Sequence, residues 1–329
     1  MPTITYANIG KFPIKPTLQD IFGYGDGGAA YAFPDLSSLY QDAAGTVPVT
    51  AIGQQVYLDR DISDRSNHLL QATALARPRL GRTPAGGVRN VLIRTDNITG
   101  GGWTLRSITV TNGGDESFKI TENSISDVHH IAAQVSVTAG LSYTTSVELK
   151  PIAEGDARHF IVTSTNTSIM PIRFSADLVN GTIVGGTLGN NITIEPLDDG
   201  WFRLSATAIA TSTANISMYL PRIVTTAGAT SYQGDGVSGM FFRKPYVGVT
   251  GANNAYQRVT SDWDVTEAGK ADCWYLGFDG IDDFMVTAAT LDLSATDKVT
   301  LFAGVEKFTD ASIGAVAEFS ADVNSNLGT

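Results

Sequence analysis

The sequence predicts an all-β fold: a jelly-roll β-sandwich preceded by an extended, mostly irregular N-terminal arm and followed by the start of a second β-sandwich. Three observations carry this. Apolar residues alternate in Leu141–Lys150, where Leu141, Tyr143, Val147 and Leu149 share one parity and Ser142, Thr144, Ser146, Glu148 and Lys150 the other. Strand side chains point to opposite faces in turn, so this stretch has one dry and one wet face. The same period returns after Asp199-Gly200, with Phe202, Leu204, Ala206 and Ala208 opposite Trp201, Arg203, Ser205 and Thr207. Glycine-containing turn signals then punctuate the chain at Asn112-Gly113-Gly114, Ala139-Gly140, Asn180-Gly181, Leu188-Gly189-Asn190 and Asp198-Asp199-Gly200, as hairpins require.

The first 88 residues read differently. Pro2, Pro13, Pro16, Pro34, Pro48, Pro78 and Pro84 recur in them, and proline at this density prevents long helices and interrupts sheet ladders. Asp35–Ala43 and Ser66–Ala76 are the longest helix-compatible pieces, the first with Asp35 as a cap. This arm is expected to lie extended and to bury its Phe, Tyr and Leu side chains against another chain, or else to fold back over the first sandwich. Arg77–Gly87 reads as a solvated hinge.

Ten strand candidates follow: Ser107–Val110, Ser117–Thr121, Ile131–Val137, Leu141–Lys150, His159–Ser164, Pro171–Ala176, Asn191–Glu195, Trp201–Ala210, Ile216–Leu220 and Gly239–Tyr246. They predict a sandwich over residues 89–262. From residue 263 on, Trp274–Phe284 reads as strand, acidic turn, strand. Val299–Val305 and Ala315–Phe319 read as further strands. This last piece is expected to be the incomplete beginning of a second sandwich.

Composition narrows the function. The net charge of -11, from 22 Lys and Arg against 33 Asp and Glu, argues against a nucleic-acid partner, because little neutralises phosphates. Cys273 has no second cysteine to pair with and reads as a small buried apolar residue. Met1–Lys15 lacks the apolar core of a signal peptide, and no run is long enough for membrane insertion.

The stretches Asp35–Thr50 and Asp61–Pro78 resemble segments of tailed-bacteriophage virion proteins. Tyr275–Phe284 and Ser294–Val305 resemble the opening of a concanavalin-A-like (laminin-G-like) sandwich that follows such segments. Between them sits an inserted domain. Its Asn90–Ile93, Gly200–Ser205 and Gly234–Gly239 resemble carbohydrate-binding jelly rolls of phage fibres and glycoside hydrolases. The resemblance implies a fibre or spike protein of the virion, a homo-oligomer with a trimer favoured, and attachment to other virion proteins through residues 1–88. It also implies host cell-surface polysaccharide as ligand.

Sugar sites stack pyranose rings on aromatic faces, so aromatics on the wet parity are informative. Trp201 and Tyr219, with Arg203 on the parity of Trp201, form the expected platform. Asp279, Asp282 and Asp283 cluster in a turn that lacks a full calcium-loop pattern and read as solvated. His129 and His130 are adjacent and face opposite ways on a strand, and His68 and His159 have no second ligand at metal spacing. No Lys-Ser/Thr phosphate cradle accompanies the glycine-rich stretches. No catalytic residue, metal or cofactor is therefore assigned. The expectation is a non-enzymatic display protein. The alternatives are a polysaccharide depolymerase with its catalytic part elsewhere, or a plain structural spacer.

Overall fold

The computed structural model describes residues 27–32, 36–63, 65–152, 158–251, 255–291, 300–305 and 316–317. The chain divides into two compact units, Arg82–Cys273 and a second formed by Met1–Gly81 with Trp274–Thr329.

Among the described residues, the Arg82–Cys273 unit is built on a two-sheet sandwich of twelve strands in two six-stranded sheets. In chain order these are β1 (Trp103–Arg106), β2 (Ile108–Gly114), β3 (Ser117–Glu122), β4 (His129–Val137), β5 (Ser142–Pro151), β6 (Arg158–Ser164), β7 (Arg173–Asp177), β8 (Thr182–Leu188), β9 (Asn190–Pro196), β10 (Phe202–Ile209), β11 (Ala214–Thr225) and β12 (Gly239–Val249). One sheet runs β9-β10-β5-β12-β3-β2 and the other β8-β7-β6-β11-β4-β1. Each of the ten expected strands is present. β1 and β8 are additional to these.

Alternation explains the core. Tyr143, Val147, Leu149, Leu204, Ala206, Ala208 and Phe242 come from the first sheet. Ile131, Ala133, Val135, Phe160, Val162, Phe174, Met218 and Ile223 come from the second, and all pack into one cluster. Leu141, expected on this dry face, is exposed because it precedes β5.

Two strands change parity midway. In β12 the register passes from Ser146↔Tyr246 to Glu148↔Arg243, so one extra residue is accommodated near Lys244, whose φ is 50°. Phe242 and Val247 therefore both point inward although their numbers differ in parity. β11 does the same between Tyr219 and Arg222. Such bulges re-aim side chains without ending the strand.

A buried ion pair ties down the loop ahead of β12. Glu122 is enclosed, accepts hydrogen bonds from Arg158 at 2.5 Å and 3.0 Å, and takes a third from the Tyr232 hydroxyl at 2.6 Å. The Asp235 backbone N–H donates to the same carboxylate.

The second unit has its own small core of Leu39, Val49, Val56 and Leu80, packed with Leu36, Trp274, Leu276 and Met285. Short strands Leu39–Tyr40, Leu58–Asp59 and Leu69–Leu70 pair in sequence, and Val286–Thr287 pairs with the last of them. The segments read from sequence as an N-terminal arm and a separate C-terminal domain thus share a sheet and a core. Local pattern missed this because each contributes too few apolar residues to show a core alone. The helix-compatible pieces shrink to 3-10 turns at Leu36–Ser38 and Ala74–Ala76, while Asp35 lies outside the described residues.

Other expectations are corrected. The hinge contains a strand, Arg79–Pro84, that buries Leu80, and Arg82 pairs with Asp264 at 3.0 Å. Cys273 is exposed, because its place on the strand Asp272–Gly277 turns the side chain outward. Residues 300–305 form no strand, and Leu301, Phe302 and Val305 stand exposed there without a partner strand among the described residues. Most of the strands expected over Val299–Val305 and Ala315–Phe319 otherwise falls outside the described residues.

Phe242 packs edge-on to Trp103 at 6.1 Å and lies near Phe118 at 6.4 Å in the sandwich core. Phe242→Ala is expected to destabilise the sandwich by about 3–5 kcal/mol in chemical denaturation; a loss below roughly 1 kcal/mol would contradict this packing. In the smaller unit, Asp59 is fully enclosed and accepts a hydrogen bond from Ser38 Oγ at 2.8 Å. Burial, reinforced by Asp61 and only partly offset by Ser38, pushes its carboxyl up to about 6. The folded state then holds a proton that the unfolded state releases, so stability falls as pH rises towards and through that value. Thermal melts from about pH 4 to about pH 7 should show this fall, and Asp59→Asn should flatten it.

Candidate functional site

The central strands of the first sheet carry a charged cluster on their outer face. β5 places Glu148 between Arg203 of β10 and Arg243 of β12, as cross-strand neighbours on its two sides. Its side chain is only 3% exposed, a position where an unpaired carboxylate is costly. Arg203 Nη2 donates to it at 2.8 Å, Arg243 Nε at 2.7 Å, and Lys244 Nζ lies at 3.6 Å. Burial opposes ionisation of Glu148. The hydrogen bonds from Arg203 and Arg243, with the charge of Lys244, outweigh it and hold the carboxyl below its ordinary range. Arg203 also reaches Glu195 of β9 at 3.3 Å.

Beside this cluster runs a row set by register. Thr111 stands opposite Lys119, Lys119 opposite Phe241, and Phe241 opposite Lys150. Lys119, Phe241 and Lys150 are each half-buried. The row ends near Trp201, whose ring lies 6.5 Å from that of Phe241.

The three residues expected to form one platform are divided. Trp201 and Arg203 belong to this face, but Trp201 is 7% exposed and the Arg243 guanidinium lies 4.0 Å over its ring. It therefore positions Arg243 and offers no free stacking surface. Tyr219 is on β11, in the other sheet, half-buried against His130 at 4.5 Å, with Arg222 at 5.8 Å. Burial, with Arg222 and Arg106 nearby, pushes the His130 imidazole down to about 4, so it is neutral at physiological pH. Parity told which residues opposed the core, but not which sheet each strand joined. Phe241, Lys119 and Lys150 were missed for the same reason: each sits on the wet parity of a strand, and only the register sets them side by side.

Elsewhere in this unit, a groove of about 390 Å³ is lined by Asp96, Asn112, Glu116, Lys244, Tyr256 and Arg258, among others. Arg258 closes on Asp96 Oδ2 through Nη2 at 2.8 Å and Nε at 3.2 Å. In the smaller unit, Asp279, Asp282 and Asp283 bring carboxylate oxygens within 4.8 Å of one another. Asp279 Oδ1 there accepts the backbone N–H of Ile281 at 2.8 Å, as a turn aspartate does.

No protein-family model matches the chain, and no curated protein matches it. Among the solved structures similar to it, three match over about half of the chain. The CBM22-1–GH10 modules of Clostridium thermocellum endo-1,4-beta-D-xylanase 10B, complexed with xylohexaose, share 14% identity over 50% of this chain, with a TM-score of 0.29. The chain spans 28% of that protein's length. The CBM22-1 xylan-binding domain of Paenibacillus barcinonensis Xyn10C shares 16% identity over 50% of this chain and 94% of its own, with a TM-score of 0.27. A mannan-recognising carbohydrate-binding module, TmCBM27, shares 10% identity over 48% of this chain and 95% of its own, with a TM-score of 0.24. At such scores the likeness carries no functional argument, and the chemistry rests on this chain's own residues.

Because the Glu148 carboxyl is held below its unfolded range, its contribution is present above that range and is lost as pH falls through the folded value. Glu148→Gln is expected to cost about 2–3 kcal/mol at neutral pH, the exposure of Arg203 moderating the loss. Acid titration of stability should show a shallower decline in the variant. An unchanged acid limb would mean the carboxylate is not ionised in the fold.

Proposed function

We propose that this chain is a non-catalytic structural protein of a phage-like particle, a fibre or spike subunit whose sandwich binds host-surface glycan. Its ligand lies on the outer face of the β9-to-β2 sheet. The observation that carries this is Phe241: a half-buried aromatic ring on the outer sheet face, flanked in register by Lys119 and Lys150. An apolar ring takes the C–H face of a pyranose while neighbouring donors reach its hydroxyls. Arg203, 44% exposed and fixed by Glu148, supplies planar donors next to the row. Trp201 acts through Arg243, as a positioning residue.

The virion role is supported by the resemblance of Asp35–Thr50, Asp61–Pro78, Tyr275–Phe284 and Ser294–Val305 to phage virion segments. Attachment to other virion proteins falls to residues 1–88. Single sites on such faces are weak, and a trimer would multiply them into useful avidity. Light scattering of the full chain is expected to give a trimer, and mass spectrometry of purified particles is expected to find the chain in them. A monomer absent from particles would remove the virion reading.

Glycan binding is tested on an array. Phe241→Ala should weaken binding by about tenfold or more, while Tyr219→Ala, on the other sheet, should leave it unchanged. Equal binding by wild type and Phe241→Ala would exclude this face. No shortening of host polysaccharide on incubation is expected.

A further inference from the structure

We infer that this face selects glycans whose sugars carry carboxylates, with Lys119 and Lys150 as the residues that engage the acid groups. The inference rests on the glycan-binding reading and names its ligand class. The two lysines flank Phe241 on adjacent strands, Lys119 on β3 and Lys150 on β5. Strands lie about 4.8 Å apart, so their backbones stand about 10 Å from each other with the ring between them. That arrangement holds two acid groups along an extended polysaccharide while a sugar face covers the phenyl ring.

Charge on the face supports it. The ion pairs there among the described residues all belong to Arg203, Arg243 and Lys244. Among the described residues Lys119 and Lys150 have none. The two rows together hold five cations, Lys119, Lys150, Arg203, Arg243 and Lys244, against Glu148 and Glu195. Asp198 and Asp199 stand in the turn that leads to Trp201, at the end of the row. The two rows thus carry three more positive than negative charges, which Asp198 and Asp199 reduce to one, in a chain whose net charge is -11. That local excess attracts a polyanion to this face. Ammonium groups on flexible stems follow carboxylates presented at varying angles. Attraction of this kind is screened by salt.

The full chain is run through affinity gels containing polygalacturonate, its carboxyl-reduced counterpart, or poly-L-glutamate as a polyanion without sugar. Wild type should be retarded by polygalacturonate at low salt and released at high salt. The variant Lys119→Gln/Lys150→Gln should bind it at least about tenfold more weakly with an unchanged melting temperature. Phe241→Ala should weaken the acidic polymer and any glycan held in the array alike. If the reduced polymer binds as well as the acid one and the double variant is unaffected, acid selectivity is wrong while glycan binding stands. Equal retardation by poly-L-glutamate would show a face that reads charge alone and would overturn the inference. A blank array together with blank gels would remove both readings.

Discussion

A carboxylate in the middle of a sheet needs partners on both sides, and Glu148 organises the sandwich around that need. It sits on β5, an inner strand of its sheet, where alternation would otherwise call for a small polar residue open to water. Instead its side chain is 3% exposed, and one arginine reaches it from each neighbouring strand. An uncompensated charge at that depth would cost several kcal/mol, so the register of three strands and the position of the Lys244 bulge are tied to one another. The extra residue in β12 brings Lys244 to 3.6 Å of the carboxylate and returns Val247 to the core. Electrostatics outside and packing inside are thereby served by one irregularity.

The two outer faces of the sandwich are chemically unlike for this reason. The Glu148 sheet keeps Phe241 between Lys119 and Lys150. The opposite sheet buries His130 under Tyr219 and Arg222, a neutral imidazole at physiological pH. On the first face the arginines are held by the carboxylate, while the lysines of the neighbouring row pair with no acid among the described residues.

The smaller unit follows a different logic. Its core of four fully enclosed apolar residues draws on segments from either side of the sandwich sequence. Polar interiors supplement it: Asp59 bonds to Ser38, and Asp61 accepts N–H groups of Ala30, Ser63 and Asn67. The sandwich is in effect inserted into a chain that resumes its earlier sheet afterwards, with Val286–Thr287 pairing to Leu69–Leu70. The residues that suggested virion segments lie on both sides of the insertion.

The amino-acid order alone determined that the middle of this protein is sheet, and placed its ten strongest strands, because period-two burial is a local property of four to ten residues. It also placed Trp201, Arg203 and Tyr219 off the dry parity. Only tertiary structure decided which of these meet. Trp201 lies beneath Arg243 because β12 pairs with β5, and Tyr219 is on the other sheet because β11 pairs with β4 and β6. Phe241 stands between Lys119 and Lys150 by register across three strands. Nothing within a single strand encodes its neighbour; pairing is settled by the closure of the whole core, and the candidate site is a property of pairing.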